Sequence, residues 1–388
     1  MIDQIEFRNF KCFKSLQLPI RSLTLLTGFN AAGKSTTLQS LLLLSQTLRM
    51  SVEGAELRLN GPLLRLGTPG EVLNQDEPAR NLDLQLSVAA YNTEISWTAI
   101  PVESDRGRSL RISVVRIGDS ETAISVDSVL RNLLPSDIQS DGARHIVAAL
   151  RDMIYVSALR RLDTEVFPAP DEPNPIQGDV GTYGEFAPWW LHQYGDLDID
   201  KSRCSRTSGN AINLRAQVAA WLGEIFPGAE ANAVPISKTR LLRLELRTAS
   251  AGEWRSPANI GYGLSYAFPI VVAGLVAHRD QILVVDSPEA HLHPRGQSRM
   301  ARFLAHVAAC GVQIILETHS DHVLNGLRIA IRDSVLPSNS AALYFFGEPG
   351  KGRSPQSLQI DSRGNVSSWP EGFFDQAEAD LASLAGWA

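Results

Sequence analysis

The residues best suited to chemistry lie near the amino terminus, where positions 28–36 read GFNAAGKST. This run fits the pattern G-x-x-x-x-G-K-[ST], in which a glycine-rich turn wraps its backbone N–H groups around a phosphate chain. Lys34 would reach the β- and γ-phosphates, and the Ser35 hydroxyl would hold Mg²⁺. The pattern therefore predicts a nucleotide-binding loop formed by Gly28, Asn30, Ala31, Ala32, Gly33, Lys34, Ser35 and Thr36.

The sequence on both sides of this loop has the pattern that a phosphate loop needs. Residues 22–27 (SLTLLT) favour a buried strand, and residues 36–44 (TTLQSLLLL) favour a helix. A helix that begins at the loop directs the positive end of its dipole towards the phosphates. Strand, loop and helix together predict nucleotide binding.

A second set of candidate residues follows two apolar segments in the carboxyl-terminal half. Residues 281–286 (QILVVD) end in Asp286, and residues 313–318 (QIILET) directly precede His319. In P-loop enzymes, an Asp at the end of a strand holds Mg²⁺ near the phosphates. Two such strands predict a parallel sheet whose functional site lies at the carboxyl ends of the strands.

The rest of the chain suggests a lobe and a helical region between these two parts. Residues 5–20 and 82–127 alternate apolar and polar side chains and predict antiparallel hairpins. Prolines make residues 167–175 a loop, and residues 181–191 and 214–226 favour helices. The predicted divisions are the amino-terminal part of the head (1–75), an inserted antiparallel β lobe (76–150), a return strand with the proline-rich loop and helices (151–250), and the carboxyl-terminal part of the head (251–388).

Composition limits the possible classes of protein. The 388 residues are 44% hydrophobic and 20% charged, which is typical of globular proteins, and the net charge of −6 gives no bulk attraction to nucleic acid. Because no basic strip with interleaved aromatic residues is evident, we expect contact with nucleic acid to be indirect at most. Three widely spaced cysteines argue against a disulfide framework or a zinc cluster. No signal peptide or membrane span is evident, so we expect a soluble, cytoplasmic protein.

The order of these motifs, with residues 259–265 (NIGYGLS) preceding the Asp286 strand, resembles an ABC-type ATPase head. More narrowly, it resembles the OLD-like ATPases of bacterial genomes, many of which lie in phage-defence operons. The matching motifs are DSPEAHLHP at 286–294 and THSDH at 318–322, and WPEGFFD at 369–375 resembles the carboxyl-terminal signature of a subgroup. The resemblance implies an α/β P-loop NTPase with a mostly parallel core sheet, an antiparallel β lobe and an inserted helical region.

The resemblance also implies a role for individual residues. Asp286 corresponds to the Mg²⁺ carboxylate, and His319 to the switch histidine that senses the γ-phosphate. The signature segment, with Gly261, Gly263 and Ser265, corresponds to the part that contacts ATP held by the opposite protomer. It follows that ATP and Mg²⁺ are the expected cofactors, and that a homodimer or higher homo-oligomer is the expected assembly. The expected partner is a separate effector, a nuclease or a toxin, that the ATPase regulates.

One position departs from the ABC pattern. The glutamate that polarises water in ABC ATPases directly follows the Mg²⁺ carboxylate, and this chain has Ser287 there. A serine hydroxyl is a poor general base. Glu289 either takes over as the catalytic base or has a structural role in the loop. We therefore expect ATP hydrolysis that is slow or stimulated by a partner.

Three other functions remain alternatives at this level. A self-contained OLD-type nuclease would need an extra acidic domain, for which little chain follows His319. An SMC-like or DNA-repair ATPase is disfavoured because coiled-coil arms are missing, and an ATPase subunit of a transporter is disfavoured by the OLD-like motifs.

Two histidines and two arginines could have a functional role, but a structural role is the simpler interpretation. His291 and His293 lie close to each other in sequence, but no cysteine or carboxylate completes a zinc-ligand spacing, so hydrogen bonding in a loop is preferred. Arg160 and Arg161 could contact phosphate or another subunit. We expect both to be solvated or salt-bridged instead.

Overall fold

Two kinds of apolar pattern in the sequence give two kinds of sheet in a computed structural model of the protein. The structure describes residues 1–75, 83–104, 107–125, 128–138, 140–161, 164–172, 175–249, 252–348 and 354–386. Segments that alternate apolar and polar residues pair antiparallel, whereas the continuous apolar runs form a sheet with parallel strands.

The antiparallel sheet contains seven strands in the order β2-β1-β5-β6-β7-β4, with β8 paired to β7. The amino-terminal hairpin joins the hairpins expected over residues 82–127, because β1 pairs with β5 from Gln4↔Ala89 to Arg8↔Gln85. Of that predicted region, residues 82, 105–106 and 126–127 lie outside the described ranges. The strands are β1 Gln4–Phe10, β2 Phe13–Pro19, β4 Glu56–Leu57, β5 Leu84–Ala90, β6 Thr93–Ser104, β7 Gly107–Ile117 and β8 Ser120–Ala123.

The second sheet has the order β16-β15-β3-β14-β13-β9, and its strands β3, β14, β13 and β9 run parallel. These four strands are nearly continuous apolar runs, as expected for strands that are covered on both faces. The strands are β3 Leu23–Gly28, β9 Ile154–Val156, β13 Ile282–Asp286, β14 Gln313–Glu317, β15 Ala341–Phe346 and β16 Gln356–Leu358.

A third, three-stranded sheet, nine α-helices and three short 3-10 helices complete the described parts of the chain. The small sheet consists of β10 Val166–Pro168, β12 Leu241–Arg247 and β11 Glu230–Pro235, so the proline-rich segment begins as an edge strand; its residues 173–174 lie outside the described ranges. The α-helices are α1 Lys34–Met50, α2 Pro69–Val72, α3 Asp141–Arg151, α4 Ala187–Tyr194, α5 Leu214–Ile225, α6 Tyr262–Val276, α7 Pro294–Ala309, α8 Asp321–Arg332 and α9 Gln376–Leu384.

The chain forms two compact units, and it crosses between them several times. One unit consists of Met1–Arg21, Phe29–Met153 and Phe346–Gln356 and contains the antiparallel sheet with α1. The other consists of Ser22–Gly28, Ile154–Phe345 and Ser357–Ala388 and contains the parallel strands. Among the described residues, none of the helices is both long enough and apolar enough to span a membrane. The domain boundaries drawn from the sequence stay a prediction.

Candidate nucleotide site

The predicted phosphate loop has the backbone geometry of a tight turn before a helix. Gly28 has a φ of 128°, Ala31 of 59° and Gly33 of 106°, and α1 begins directly after Gly33 at Lys34. Residues with positive φ within a tight turn can direct backbone N–H groups towards the inside of the loop, where an anion can bind. The Nζ atom of Lys34, whose residue is only 3% exposed, donates to the carbonyl oxygen of Phe29 at 2.7 Å and thus lies over the loop.

A phenylalanine ring explains why position 33 requires glycine. A Cβ atom at Gly33 would lie 2.3 Å from the Cε2 and Cζ atoms of Phe13, and 3.0 Å from the Sγ atom of Cys12. Phe13 is itself held edge-on against Phe7, with the ring centroids 5.7 Å apart. The loop therefore rests against the core at a position where an added carbon does not fit.

The loop residues divide according to exposure in the way a ligand-binding loop requires. Asn30, Ala31 and Ser35 are exposed, whereas Ala32, Gly33 and Lys34 are buried. Gly28 and Thr36 are intermediate, and the Thr36 hydroxyl contacts the Sγ atom of Cys12 at 3.8 Å. Ser35 thus presents its hydroxyl at the surface of the first turn of α1.

Three strands of the parallel sheet end with candidate residues at the same edge. The β13 residue Asp286 pairs in register with Glu317 at the end of β14, and Glu317 pairs with Leu26 near the end of β3. His319 follows β14 by two residues, and Gly28, the first glycine of the phosphate motif, closes β3. The carboxyl edge of this sheet therefore brings Asp286, His319 and the start of the phosphate loop together, as the sequence predicts.

Asp286 is a partly buried carboxylate. Its Oδ1 atom accepts a hydrogen bond from the Ser287 hydroxyl at 2.9 Å. Burial raises the pKa of Asp286 above its usual value, although the Ser287 hydrogen bond and the positive charge of Arg160 act in the opposite direction. The same surroundings, chiefly burial and then the charge of Asp286, raise the pKa of Tyr155 to about 12.

The oxygen donors present fit Mg²⁺. Magnesium prefers carboxylate and hydroxyl oxygens and retains several waters, and a buried carboxylate such as Asp286 is stabilised in its charged form by a divalent cation. Among the described residues, no group of three or more His, Cys, Asp and Glu side chains could hold a metal ion. Asp286 is therefore the side chain at this edge whose chemistry best suits a divalent cation.

Both carboxylate oxygens of Glu289 are bonded to the segment that follows β14. The Thr318 hydroxyl donates to Oε2 at 2.7 Å, and the backbone N–H of His319 donates to Oε1 at 2.8 Å. Thr318 is fully buried, whereas His319 is exposed. These bonds support the structural interpretation of Glu289, in which the residue fixes the position of His319.

The signature segment is only partly at the surface. Gly261 and Tyr262 are exposed at the start of α6, but Ser265 is 1% exposed and faces the core. A Cβ atom at Gly263 would lie 2.8 Å from the carbonyl oxygen of His291, so Gly263 permits close packing against that loop. The structure therefore does not present Ser265 as a surface contact, and the accessible part of the segment is its first turn.

The histidines of the loop after β13 make hydrogen bonds and ring contacts. His291 lies edge-on to Tyr266 with a centroid distance of 4.5 Å, and 5.5 Å from the Tyr262 ring. The Nδ1 atom of His293 accepts from the backbone N–H of Arg295 at 3.3 Å and caps α7. The preferred loop interpretation fits these contacts.

The expectation that Arg160 is solvated or salt-bridged is wrong. Arg160 is 3% exposed, and its Nη2 atom donates to the carbonyl oxygens of Asp286 at 2.6 Å and Ser287 at 3.0 Å. Burial lowers the pKa of Arg160 to about 10, so the guanidinium is still charged at neutral pH. Arg161, in contrast, is exposed, with its guanidinium carbon 4.9 Å from the centroid of the Tyr183 ring.

A sequence signal for Arg160 was available. Arg160 follows the buried strand β9, which pairs parallel to β13. Because functional residues lie at the carboxyl ends of parallel strands, the rule that places Asp286 at this edge also places Arg160 there.

Three family models match successive parts of the chain. Residues 1–149 match "AAA ATPase domain", residues 164–325 match "AAA domain, putative AbiEii toxin, Type IV TA system", and residues 336–384 match "Protein of unknown function (DUF3696)". No curated protein sequence matches the chain at a significant level.

Solved structures of SMC head domains resemble this chain. The SmcHead bound to the C-winged helix domain of ScpA has 13% identity, covers 93% of this chain and 97% of its own, and gives a TM-score of 0.52. The SMC head domain from Thermotoga maritima has 10% identity, coverages of 93% and 99%, and a TM-score of 0.42. The Smc head domain with an extended coiled coil from Pyrococcus furiosus, bound to the C-terminal domain of ScpA, has 11% identity, coverages of 99% and 99%, and a TM-score of 0.47.

The first of these likenesses shows the fold, and the predicted α/β fold of an ABC-type head is confirmed. Together with two AAA ATPase models over most of the chain, it supports an ATPase of the AAA/ABC type. The narrower resemblance to OLD-like ATPases stays a prediction.

Proposed function

We propose that this chain binds and hydrolyses ATP, dimerises around the nucleotide, and thereby regulates a separate effector in the cytoplasm. The observation that carries the proposal is the carboxyl edge of the parallel sheet. There, the strand that precedes His319 lies between the strand that ends in Asp286 and the strand that leads into the phosphate loop. A glycine-rich loop followed by a helix start suits the phosphates of ATP. The AAA models support the same ligand.

Each predicted site residue then has a role in binding. The loop from Gly28 to Thr36 holds the phosphates, with Lys34 next to the β- and γ-phosphates. Ser35 and Asp286 hold Mg²⁺, which when bound neutralises charge that develops on the phosphates. His319 senses the γ-phosphate from a position that Glu289 fixes through its bond to the His319 N–H.

Dimerisation follows from an incomplete set of γ-phosphate contacts within one subunit. In the proposed dimer, the exposed start of α6 at Gly261 and Tyr262 adds backbone donors to the nucleotide of the partner subunit. A solved head of this fold is described as bound to a winged-helix domain, which supports the idea that such heads engage a second protein. By resemblance to the OLD-like ATPases, the effector is a nuclease or toxin in anti-phage defence.

Hydrolysis in this proposal is slow until a partner accelerates it. Ser287 occupies the position of the usual catalytic glutamate, and its hydroxyl donates to Asp286 instead of accepting a proton from water. Both Glu289 oxygens already accept hydrogen bonds from Thr318 and His319. Neither Ser287 nor Glu289 is therefore ready to act as a base.

The test is light scattering with and without ATP and Mg²⁺ on the wild type and on Lys34→Ala, together with phosphate release. We expect ATP-dependent assembly in the wild type, and no assembly in Lys34→Ala because the phosphates lose their lysine. Rapid hydrolysis with no change in assembly would contradict the dimer. A wild type that binds no ATP would contradict the proposal as a whole.

An SMC-like DNA-processing ATPase is the second candidate, and the likeness to an SMC head favours it. The two functions differ in their response to DNA. Stimulation of phosphate release by double-stranded DNA in the absence of any partner protein would favour the second candidate, and no response would favour the first.

A further inference from the structure

Arg160 is a buried cation whose hydrogen bonds are incomplete within the described residues. Its Nη2 atom donates hydrogen bonds to the carbonyl oxygens of Asp286 and Ser287. Its Nε and Nη1 atoms are buried and have no hydrogen-bond partner in the part of the chain that the structure describes. Burying a charge is unfavourable unless the charge is well paired. A buried arginine that mainly holds two backbone carbonyls suggests a task other than stabilising the fold.

The backbone that Arg160 holds is strained. Ser287 has a φ of 50°, in the left-handed region that a residue with a Cβ atom adopts only when its surroundings enforce it. Its N–H donates to the carbonyl oxygen of Glu317 at 2.9 Å, and its carbonyl oxygen accepts from Arg160. Asp286 directly precedes this turn, so the turn sets the direction of its carboxylate.

The guanidinium also contacts the helix that carries the signature segment. Its carbon lies 5.5 Å from the centroid of the Tyr266 ring on α6, a distance at which a cation is attracted to an aromatic face. The Tyr266 ring in turn packs edge-on against His291. Arg160 therefore touches both the Asp286 turn and the first turns of α6.

We propose that Arg160 is a positioning residue that fixes the backbone of Asp286 and Ser287 and connects it to the start of α6 through Tyr266. The inference rests on the proposed function, since it assumes that Asp286 is a ligand of Mg²⁺. It extends that function, because a displacement of the exposed α6 start by a partner subunit would reach the Asp286 carboxylate of the same protomer. Dimer contact and Mg²⁺ binding would then be coupled within one chain.

The test compares Arg160→Met with Arg161→Met. Methionine keeps much of the apolar stem and removes every donor, and Arg161 is a matched control because it also stacks on a tyrosine but is exposed and has no bond to Asp286 among the described contacts. In the protein without nucleotide or metal, we expect hydrogen exchange over residues 286–292 to accelerate about tenfold in Arg160→Met, as the loss of a charge-assisted bond implies. Exchange over α7 and in Arg161→Met should stay at the wild-type rate.

A second readout separates positioning from a general loss of folding. We expect the Mg²⁺ concentration that half-saturates binding of a fluorescent ATP analogue to rise about tenfold in Arg160→Met, while affinity in EDTA stays within about twofold. Arg160→Lys should recover part of the effect. Tyr266→Leu should show a smaller shift than Arg160→Met, whereas Tyr266→Phe, which keeps the ring, should match the wild type.

Wild-type exchange and wild-type Mg²⁺ dependence in Arg160→Met would overturn the inference. If Arg160→Met does not fold, Arg160→Lys and Tyr266→Leu decide in the same two assays, and wild-type values in both overturn it. If the wild type shows no Mg²⁺-dependent nucleotide binding, the proposed function fails, and the exchange result still tells whether Arg160 fixes the loop.

Discussion

The phosphate loop and the loop after β13 are held in opposite ways. The first is held mainly by residues close in sequence: Lys34 bonds to Phe29, and α1 starts directly after the last glycine of the motif. The second is held by residues far away in the chain: Arg160 bonds to Asp286 and Ser287, and Thr318 and His319 bond to Glu289. A loop of the first kind can be recognised from a short motif, whereas a loop of the second kind depends on the whole fold.

Gly33→Ala should break the locally held loop and cause the largest effect. The new Cβ would overlap the Phe13 ring at 2.3 Å in a left-handed conformation, so we expect a loss of about 3 kcal/mol in the free energy of unfolding. Chemical denaturation measures this loss, and nucleotide binding should be lost with it.

Gly118→Ala is the matched control for Gly33→Ala. Gly118 also has a positive φ, of 55°, but an added Cβ would meet nothing within 4 Å. We expect a loss of only about 1 kcal/mol from backbone strain alone. Equal losses for the two variants would mean that the Phe13 contact does not matter.

Glu289 tests the loop that is held from a distance. If Glu289 positions His319, Glu289→Gln should keep ATP hydrolysis within about threefold, because a glutamine oxygen still accepts the His319 N–H and the Thr318 hydroxyl can reverse its role. Glu289→Ala removes both acceptors and should reduce hydrolysis about tenfold. Steady-state phosphate release measures both variants.

A general base would give a different order for these two variants. Loss of a catalytic base lowers rates by about 10²–10⁴-fold, so Glu289→Gln would then be as inactive as Glu289→Ala. That result would mean that Glu289 is the catalytic base and that other contacts fix the position of His319.

A third loop, residues 179–186, extends the comparison, and we expect a substitution there to have the smallest effect on stability. It is held locally, since the Glu185 carboxylate accepts the backbone N–H of Tyr183 at 2.8 Å and the Asp179 carboxylate accepts that of Gly181 at 3.1 Å. Burial raises the pKa of Glu185 above its usual value. The folded state therefore disfavours the ionised form of Glu185. Ionisation lowers the free energy of unfolding at pH values above the folded-state pKa, and it has no effect at pH values below the unfolded-state pKa.

Glu185→Gln should therefore stabilise the protein at pH 7 by less than about 1 kcal/mol, and the gain should vanish as the pH falls towards 4. Calorimetric Tm values at both pH values measure it, with Glu371→Gln, an exposed glutamate, as the control. A gain that persists at pH 4 would mean that the effect does not come from ionisation.

The same contrast explains what could be predicted from the sequence. The strands β3, β13 and β14 come from local apolar patterns and match the structure within one residue at each end, whereas the helix predicted over 36–44 continues in α1 to Met50. The pairing of β1 with β5 joins two predicted hairpin regions through contacts that no local pattern encodes. Ser265 faces the core because α6 begins at Tyr262. The signature motif does not determine where this helix begins, and so it does not predict which side of the helix carries Ser265.

The burial of Arg160 escaped prediction for a related reason. Arginine is seldom fully buried, and the carbonyls of Asp286 and Ser287 that hold it come from another strand, so composition and neighbours in sequence both indicate a surface residue. Only the parallel register of β9 and β13 connects the two.

The phosphate loop, although held mainly by its neighbours, also accepts a constraint from a residue far away in the chain. The backbone N–H of Phe29 donates to the carbonyl oxygen of Phe346 at 2.9 Å. Proteins are synthesised from the amino terminus, so the ribosome produces Phe29 long before its acceptor, Phe346. A nascent chain would thus carry an unfinished loop until Phe346 has been synthesised, and we expect full nucleotide binding only after that point.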